Sequence, residues 1–249
     1  MANTDTGACV LRTRGLHKNY GREAGLVRAV DGVDLTVTPG ETVAIMGPSG
    51  CGKSTLLYLL GGLDRPTGGE IWLDGQDLSR LSERELARLR REAIGFVFQA
   101  FHLMDELTAV ENVELPALLA GRAPRAARQR AQQLLEQVGL ASRAGFLPAQ
   151  LSGGQRQRVA VARALVADPL VVLADEPTGN LDSASARDVL QLFDQLHGAG
   201  QTLVIVTHDV QVAATADRMI SMRDGAFIDQ TTPSRDTSGR LGALAGMEG

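Results

Sequence analysis

The hydrophobic and polar positions of the chain change between a period of two and a period near 3.6, and this pattern predicts strands that alternate with helices. Clusters of β-forming residues predict strands at Val10–Arg12, Val33–Val37, Thr42–Met46, Leu170–Ala174 and Thr202–Val206. Longer stretches rich in Leu, Ala, Arg, Gln and Glu predict helices at Ser54–Leu60, Ser82–Arg91, Pro124–Val138, Gln155–Ala167 and Ser183–Leu196. Such alternation is typical of a mainly parallel sheet with helices on both faces.

Composition narrows the classes of function. The 249 residues are 44% hydrophobic and 22% charged, which suits a sizeable core, and the net charge of -4 argues against general affinity for nucleic acid. Cys9 and Cys51 have no spacing typical of a zinc site or a disulfide framework. The N-terminus lacks a signal-peptide pattern, and the apolar runs are too short to span a bilayer. We therefore expect a cytoplasmic chain that contacts a membrane only through a partner.

A glycine-rich loop lies between a predicted strand and a predicted helix. It reads GPSGCGKST and comprises Gly47, Pro48, Ser49, Gly50, Cys51, Gly52, Lys53, Ser54 and Thr55. The glycines allow successive backbone N–H groups to face phosphate oxygens, and the helix that follows adds its positive end. We expect Lys53 to contact the β- and γ-phosphates of ATP and Ser54 to bind Mg²⁺. An incidental lysine beside a glycine turn would not need both flanking elements.

Two adjacent carboxylates follow the apolar run Leu170–Ala174. A buried strand that ends at Asp175 and Glu176 places their charge where α/β sheets bind ligands. We expect Asp175 to contact Mg²⁺ and Glu176 to act as a general base toward water. The alternative is a pair of acids that only stabilises a helix N-terminus.

A second segment with phosphate-binding character is LSGGQRQR, in which Ser152, Gly153, Gly154 and Gln155 stand directly before a helix. Taken alone, this pattern is most simply a serine N-cap. One nucleotide cannot easily use both segments of one chain. We therefore predict a head-to-tail homodimer in which this segment contacts the nucleotide bound by the other copy.

Together with Gln99 in FVFQ, the sequence VVLADEPT and the residues Asn180-Leu181-Asp182 and His208, these motifs resemble those of ATP-binding-cassette (ABC) ATPases in their order. The resemblance spans nearly residues 20–225. It implies that Gln99 contacts Mg²⁺ or water and senses a permease, that Asp182 crosses the dimer, and that His208 contacts the γ-phosphate. Alone, Gln99 would be uninformative and His208 would more often be an ordinary surface or core histidine.

Tyr20 stands where these ATPases place an aromatic ring against adenine, although a half-buried loop tyrosine is the alternative. Cys51 occupies a variable loop position and is interpreted as a packing residue, with redox sensitivity as a minor alternative.

The implied fold is an α/β P-loop NTPase with a mainly parallel core sheet, N-terminal antiparallel strands and an inserted α-helical subdomain. We expect the nucleotide-binding domain at residues 8–229, the helical subdomain at about residues 100–168 within a RecA-like core, and a flexible tail at 230–249. Three further phrases, GGLDRPTGGEIWLDGQDL, FVFQAFHLMDELTAVENVELPALLAG and LADEPTGNLDS, resemble the MacB/LolD-type group of exporters and lipoprotein-release machines.

The resemblance implies an ATPase that dimerises on ATP and drives separate integral-membrane permease subunits, by export or by transmission of force. A solute-importer ATPase shares every catalytic motif, and ATPases of the FtsE and BceA types are near relatives. ABC ATPases that act on DNA or ribosomes usually carry coiled-coil insertions or tandem cassettes, and neither pattern is present. A purely regulatory ATP-binding protein is disfavoured because Glu176 and His208 are both present.

Overall fold

A computed structural model describes residues 9–21 and 25–232. Its strands are Leu11–Tyr20 (β1), Val27–Val37 (β2), Thr42–Met46 (β3), Gly68–Leu73 (β4), Gln76–Asp77 (β5), Ile94–Phe98 (β6), Val171–Asp175 (β7), Thr202–Thr207 (β8), Arg218–Arg223 (β9) and Ala226–Thr231 (β10). Its α-helices are Lys53–Leu60 (α1), Glu83–Ala93 (α2), Ala109–Leu119 (α3), Pro124–Gln137 (α4), Gly153–Leu165 (α5), Ser183–Gly198 (α6) and Val210–Ala213 (α7).

The core sheet has the strand order β10-β9-β3-β8-β7-β6. All neighbouring pairs are parallel except β9 and β10, which run antiparallel. Every residue of β7 and β8 is buried, because strands covered by helices on both faces need apolar side chains on both sides. The predicted mainly parallel sheet is confirmed, with an antiparallel edge strand that the pattern did not reveal.

A second sheet, with the order β2-β1-β4-β5, is antiparallel throughout. This confirms the expected N-terminal antiparallel strands, but β1 is much longer than the predicted Val10–Arg12. Its pairing register shifts between Thr13 and Leu16, on either side of Gly15, which has a φ of 50°. A bulge of this kind adds an unpaired residue. The alternation of buried and exposed positions is therefore interrupted, and the sequence pattern ends too early.

Helices α3, α4 and α5 lie between β6 and β7 and share one hydrophobic cluster that contains Val113, Leu134 and Val161. These helices occupy the segment for which an inserted helical subdomain is expected. The predicted stop of α4 is confirmed, because Gly139 has a φ of 71° and the Leu140 amide donates to the Leu135 carbonyl at 2.7 Å. Glycine adopts this left-handed conformation after a helix without steric cost.

The sequence pattern missed α3, since Pro116 lies inside the helix and suggests a break. A recognisable signal was present, because Thr108 and Glu111 form a capping box at its start. The patterns also missed β4, β5, β6, β9, β10 and α7. The flexible tail was expected from residue 230, but β10 extends to Thr231. Residues 233–249 lie outside the described part of the chain.

The carboxyl ends of the parallel strands meet at one edge of the core sheet. Met46 at the end of β3 pairs with Thr207 at the end of β8, and Asp175 at the end of β7 pairs with Val206. The residues that follow these strands therefore converge. This edge is where open α/β sheets bind ligands.

Candidate functional site

The loop between β3 and α1 is shaped by close contacts that exclude side chains. A Cβ atom on Gly47 would lie 2.2 Å from the Met222 carbonyl oxygen, and one on Gly52 would lie 2.0 Å from the Ala29 carbonyl oxygen. Gly52 also has a φ of 106°, which residues with a side chain rarely adopt. The glycines therefore let this loop pass directly over β2 and β9.

A pocket of about 480 Å³ opens beside the loop. It is lined by Gly50, Gly52 and Lys53–Thr55, by residues 27–29 of β2 and by Asp224–Gly225. Lys53 is buried, and its Nζ donates to the carbonyl oxygens of Gly47 at 2.8 Å and Pro48 at 3.1 Å. A buried ammonium held by two neutral carbonyls fits a phosphate group, which is a better partner for its charge.

Below the loop, Asp175 accepts hydrogen bonds from two residues of α1. The Ser54 hydroxyl donates to Asp175 Oδ1 at 2.9 Å, and Tyr58, one turn later, also bonds to this carboxylate. Burial, with a contribution from the negative charge of Glu176, raises the pKa of Asp175 despite these hydrogen bonds. Adjacent hydroxyl and carboxylate oxygens are ligands that Mg²⁺ accepts. The pair therefore fits the expected cation, and Tyr58 is a contact that the motifs had not revealed.

Glu176 is held by its own backbone and by the loop after β8. Its φ is 45°, and its amide donates to the Val206 carbonyl at 2.9 Å. Its carboxylate lies 3.0 Å from His208 Nδ1 and accepts from the His208 amide at 3.2 Å. Glu176 Oε1 is also 3.9 Å from Lys53 Nζ. A left-handed glutamate stores backbone strain, which is typical of functional positions, and here it turns the carboxylate toward the lysine.

Gln99 follows β6 and is paired with Asn180. The side chain of Gln99 donates from Nε2 to Asn180 Oδ1 at 3.1 Å, and Asn180 Nδ2 donates to the Gln99 carbonyl at 3.0 Å. This reciprocal pair joins the segment after β6 to the loop after β7. Asn180 belongs to the motif Asn180-Leu181-Asp182, in which a role was predicted only for Asp182.

The segment Ser152–Gln155 begins α5. Ser152 is the N-cap, its Oγ accepts from the Gln155 amide at 3.2 Å, and the Gln155 side chain accepts from the Ser152 amide at 3.0 Å. The helix thus starts at Gly153, two residues before the prediction. In the described part of the chain, no hydrogen bond or ion pair joins Ser152–Gln155 to Gly47–Thr55. Ser152 itself is exposed.

Asp182 caps the next helix, α6. Its carboxylate accepts from the amides of Ala184 at 3.1 Å and Ser185 at 2.9 Å and from the Ser185 hydroxyl at 2.9 Å. The Ser185 amide and hydroxyl lower the pKa of Asp182. A Cβ atom on Gly154 would lie 2.6 Å from Ser185 Oγ. The loop that ends at Asp182 therefore lies directly beside the N-terminus of α5.

Comparison with known proteins identifies the family. The family model described as ABC transporter matches residues 30–179. The chain belongs to the ABC transporter family. Its core has the fold of solved ATP-binding cassettes: the dimeric post-hydrolysis structure of the cassette MJ0796 bound to ADP and Pi is similar with a TM-score of 0.83 and 42% identity. This match covers 89% of the present chain and 98% of the MJ0796 chain.

Curated relatives identify the group within the ABC family to which the chain is similar in sequence. The chain is 51% identical over 224 residues to the macrolide export ATP-binding/permease protein MacB 1/2 of Paracoccus denitrificans, covering 90% of the chain and 34% of that protein. It is 50% identical over 234 residues to the pyoverdine export ATP-binding/permease protein PvdT of Pseudomonas fluorescens, covering 94% and 36%. The chain thus spans about a third of the length of these relatives. The assignment to the MacB/LolD-type group of ABC ATPases and the predicted fold class are confirmed.

Of the two remaining candidate positions, Tyr20 lies beside the loop and Cys51 lies within it. Tyr20 is exposed, its hydroxyl donates to Asp64 Oδ2 at 2.8 Å, and Lys18 Nζ lies 4.9 Å from its ring centroid. Thr55 is a further hydrogen-bond partner of Tyr20, whose pKa is raised by burial and by Asp64. Cys51 is buried in the hydrophobic cluster beneath the loop, which agrees with a packing role.

Over residues 9–21 and 25–232, no group of three or more His, Cys, Asp or Glu side chains is arranged to hold a metal ion. None of the helices described there combines the length and the apolar character needed to cross a bilayer. Ser54 and Asp175, the residues expected to bind Mg²⁺, offer one hydroxyl and one carboxylate, as is usual where substrate phosphates supply the other oxygens.

Proposed function

We propose that this ABC cassette binds and hydrolyses ATP as a homodimer and drives a membrane permease. The observation that carries the proposal is the convergence of Lys53, Ser54, Asp175, Glu176 and His208 at one edge of the core sheet. Each residue matches a role required for phosphoryl transfer to water. The similar MJ0796 cassette, solved with ADP and Pi, supports this reaction for the same fold.

The loop residues Gly47–Thr55 bind the phosphates of ATP. Lys53 exchanges its two carbonyl partners for phosphate oxygens, and the amides at the N-terminus of α1 add further donors. Tyr20 contributes an aromatic surface for adenine beside Thr55. Ser54 and Asp175, together with Gln99, would hold Mg²⁺, which would neutralise phosphate charge.

Glu176 is the general base. Its carboxylate is mostly buried, faces Lys53 at 3.9 Å and is oriented by the backbone and side chain of His208. It accepts a proton from the attacking water while the His208 side chain, which is 63% exposed, remains accessible to the γ-phosphate. The bonds to Val206 and His208 hold Glu176 at its strained φ and fix this geometry before substrate arrives.

The site is completed by a second copy of the chain. Ser152 caps the N-terminus of α5 and is exposed, and in the described part of the chain no hydrogen bond or ion pair joins Ser152–Gln155 to the Gly47–Thr55 loop. We infer that Ser152, Gly153, Gly154 and Gln155 contact the nucleotide held by the partner, with Asp182 at the same interface. MJ0796 is a solved example of a dimeric cassette with this fold.

The permease role is inferred from the relatives. The MacB and PvdT proteins are ATP-binding/permease proteins for export, and this chain corresponds to about a third of each. We propose that the cassette works at the cytoplasmic face of a membrane, docks on permease segments through the region after Gln99, and supports export or force transmission. Met104 in that region is 51% exposed, which leaves an apolar side chain available for docking.

Two experiments test the proposal. Purified full-length chain should hydrolyse ATP in a Mg²⁺-dependent manner, and an inactive preparation that is folded by circular dichroism would refute the enzymatic part. Co-purification from membranes should recover an export-type permease with few spans and a large extracytoplasmic domain. Recovery of a many-span importer permease with a binding protein would instead support the importer alternative, and a cell-division or antibiotic-sensing partner would support an FtsE- or BceA-like role.

A further inference from the structure

One face of α5 is attached to the segment that follows β6. Gln157 is fully buried, and its Nε2 donates to the carbonyl oxygens of Pro177 at 2.7 Å and Phe98 at 3.4 Å. The preceding residue is Arg156, and its guanidinium lies 5.2 Å from the centroid of the Phe101 ring. A Cβ atom on Gly153 would be 4.0 Å from the Phe101 ring. Because Arg156 and Gln157 lie three and four residues after Gly153, they share the face of the helix on which Gly153 lies.

The segment that α5 contacts has an unusual backbone. Phe101 and His102 have φ values of 61° and 49°, so two consecutive residues with bulky side chains are left-handed. Side chains disfavour this region, and residues are held there only by their surroundings. Within the segment, the Phe101 amide donates to the Phe98 carbonyl at 3.2 Å, the His102 amide donates to the Ala100 carbonyl at 2.6 Å, and the ring of His102 lies 4.9 Å from the ring of Phe98. These contacts leave the carbonyl oxygens of Phe101 and His102 available for a contact from α5.

Arg163, near the end of α5, makes that contact. Its two terminal nitrogens donate to the carbonyl oxygens of Phe101, at 2.7 Å, and His102. Burial lowers the pKa of Arg163. Within residues 9–21 and 25–232, the Arg163 guanidinium forms no ion pair. Its planar fork is therefore committed to two successive backbone carbonyls, which fixes the direction of both peptide groups.

We propose that Arg163 is a positioning residue that holds Phe101 and His102 in the left-handed conformation and thereby links the segment after Gln99 to the N-terminus of α5. The helix has 13 residues and carries Ser152 at its other end. A displacement of the segment would move the helix as a unit over its length of about 20 Å. The consequence for catalysis rests on the proposed function, in which Ser152 completes the site of a second copy.

The test compares Arg163→Met with Arg158→Met in the full-length chain. Arg158 lies on the same helix but faces Asp188 at 3.9 Å, so the control removes an arginine of α5 without touching the segment. We expect Arg163→Met to leave ATP affinity within about twofold while lowering turnover about tenfold, because Lys53 and its loop are untouched whereas Ser152 is misplaced. Arg158→Met should keep turnover within about twofold.

A rescue experiment separates positioning from simple packing. Glycine adopts left-handed φ without steric cost, so His102→Gly combined with Arg163→Met should recover about a third or more of the lost turnover. His102→Val combined with Arg163→Met should lower turnover below that of Arg163→Met alone, because valine disfavours the left-handed conformation. Hydrogen exchange of the amides at residues 101–104 should be faster in Arg163→Met and slower again after the glycine rescue.

Wild-type turnover in Arg163→Met, or a loss that His102→Gly leaves unchanged, would overturn the proposal. If Arg163→Met does not fold, Arg163→Lys is measured instead: lysine keeps the charge but loses the fork, so unchanged turnover and exchange at residues 101–104 would equally overturn it. A wild-type chain that shows no ATP hydrolysis would defeat the proposed function. The exchange comparison between the Arg163 and Arg158 variants would still decide whether Arg163 holds the segment.

Discussion

The loop after β3 and the N-terminus of α5 are both suited to phosphate, but their surroundings differ. Around the loop, the chain places a buried lysine, a hydroxyl–carboxylate pair and a strained glutamate. Around Ser152–Gln155, it places a capping box and the Asp182 loop, and Ser152 is exposed. In the proposed function, the first region supplies most of the catalytic groups, whereas the second presents the exposed Ser152 at a helix N-terminus. We therefore propose that the second region acts on a nucleotide bound by another copy, and the following variants test this division.

Glu176→Gln should give the largest effect. The amide cannot accept the proton from water, so turnover should fall about 10³-fold. ATP should still bind, because Lys53 keeps its place beside the loop. Steady-state hydrolysis and nucleotide titration measure the two quantities separately. Undiminished hydrolysis with intact ATP binding would show that Glu176 is not the base.

Lys53→Ala should mainly reduce ATP affinity. Loss of the buried ammonium removes charge-assisted bonds to phosphate, and we expect roughly 100-fold weaker binding. Fluorescence titration with ATP provides the measurement. Arg80→Ala is a suitable control, because the Arg80 side chain is 80% exposed and forms an ion pair with nearby Asp77. Equal ATP affinities of the wild type and Lys53→Ala would contradict the assignment of the loop.

Ser152→Ala distinguishes a cap from a catalytic contact. Loss of an N-cap costs about 1 kcal/mol of stability, and Ser82→Ala is a matched control because Ser82 forms the same capping box with Glu85 at the start of α2. Both variants should lose similar stability in urea unfolding. Only Ser152→Ala should also lose turnover, about tenfold, through the missing hydrogen bond to phosphate. Equal turnover in the two variants would reduce Ser152 to a helix cap.

Asp175→Asn should change the free energy of unfolding only slightly, and the direction of this change is informative. Because the pKa of Asp175 is raised in the folded chain, the ionised side chain lowers stability at neutral pH. The variant should therefore be more stable than the wild type at pH 7 while losing Mg²⁺-dependent turnover. This advantage should shrink as the pH falls through the raised pKa and vanish below the ordinary aspartate value. Unfolding in urea across this pH range measures it, and a wild type more stable than the variant at pH 7 would contradict the interpretation.

The sequence predicted the elements that carry the candidate site residues better than it predicted the strands and helices packed around them. The strand–loop–helix unit from Thr42 to Leu60 and the carboxylates at Asp175 and Glu176 were predictable because short-range geometry determines them. The long β1 was not, since the bulge at Gly15 interrupts its period. Pro116 likewise concealed α3. A bulge or an internal proline interrupts the periodic pattern, and the pattern then does not show that the same strand or helix continues beyond it.

Contacts between distant residues were the least predictable part. Tyr58 reaches Asp175 and Arg163 reaches the carbonyls of Phe101 and His102 only after the sheet and helices have assembled. A partial signal existed for Tyr58, which lies one turn after Ser54 and therefore on the same face of α1. For Arg163 the decisive feature is the left-handed backbone of its partners, which follows from tertiary packing.

The most direct test of a site shared between two copies is a mixing experiment. Lys53→Ala and Ser152→Arg chains should each be nearly inactive alone, because every homodimer lacks one half of each site. In an equimolar mixture, random pairing should give about a quarter of the wild-type number of intact sites, with a corresponding recovery of turnover. A mixture no more active than the two separate preparations, or full activity of Ser152→Arg alone, would contradict the account.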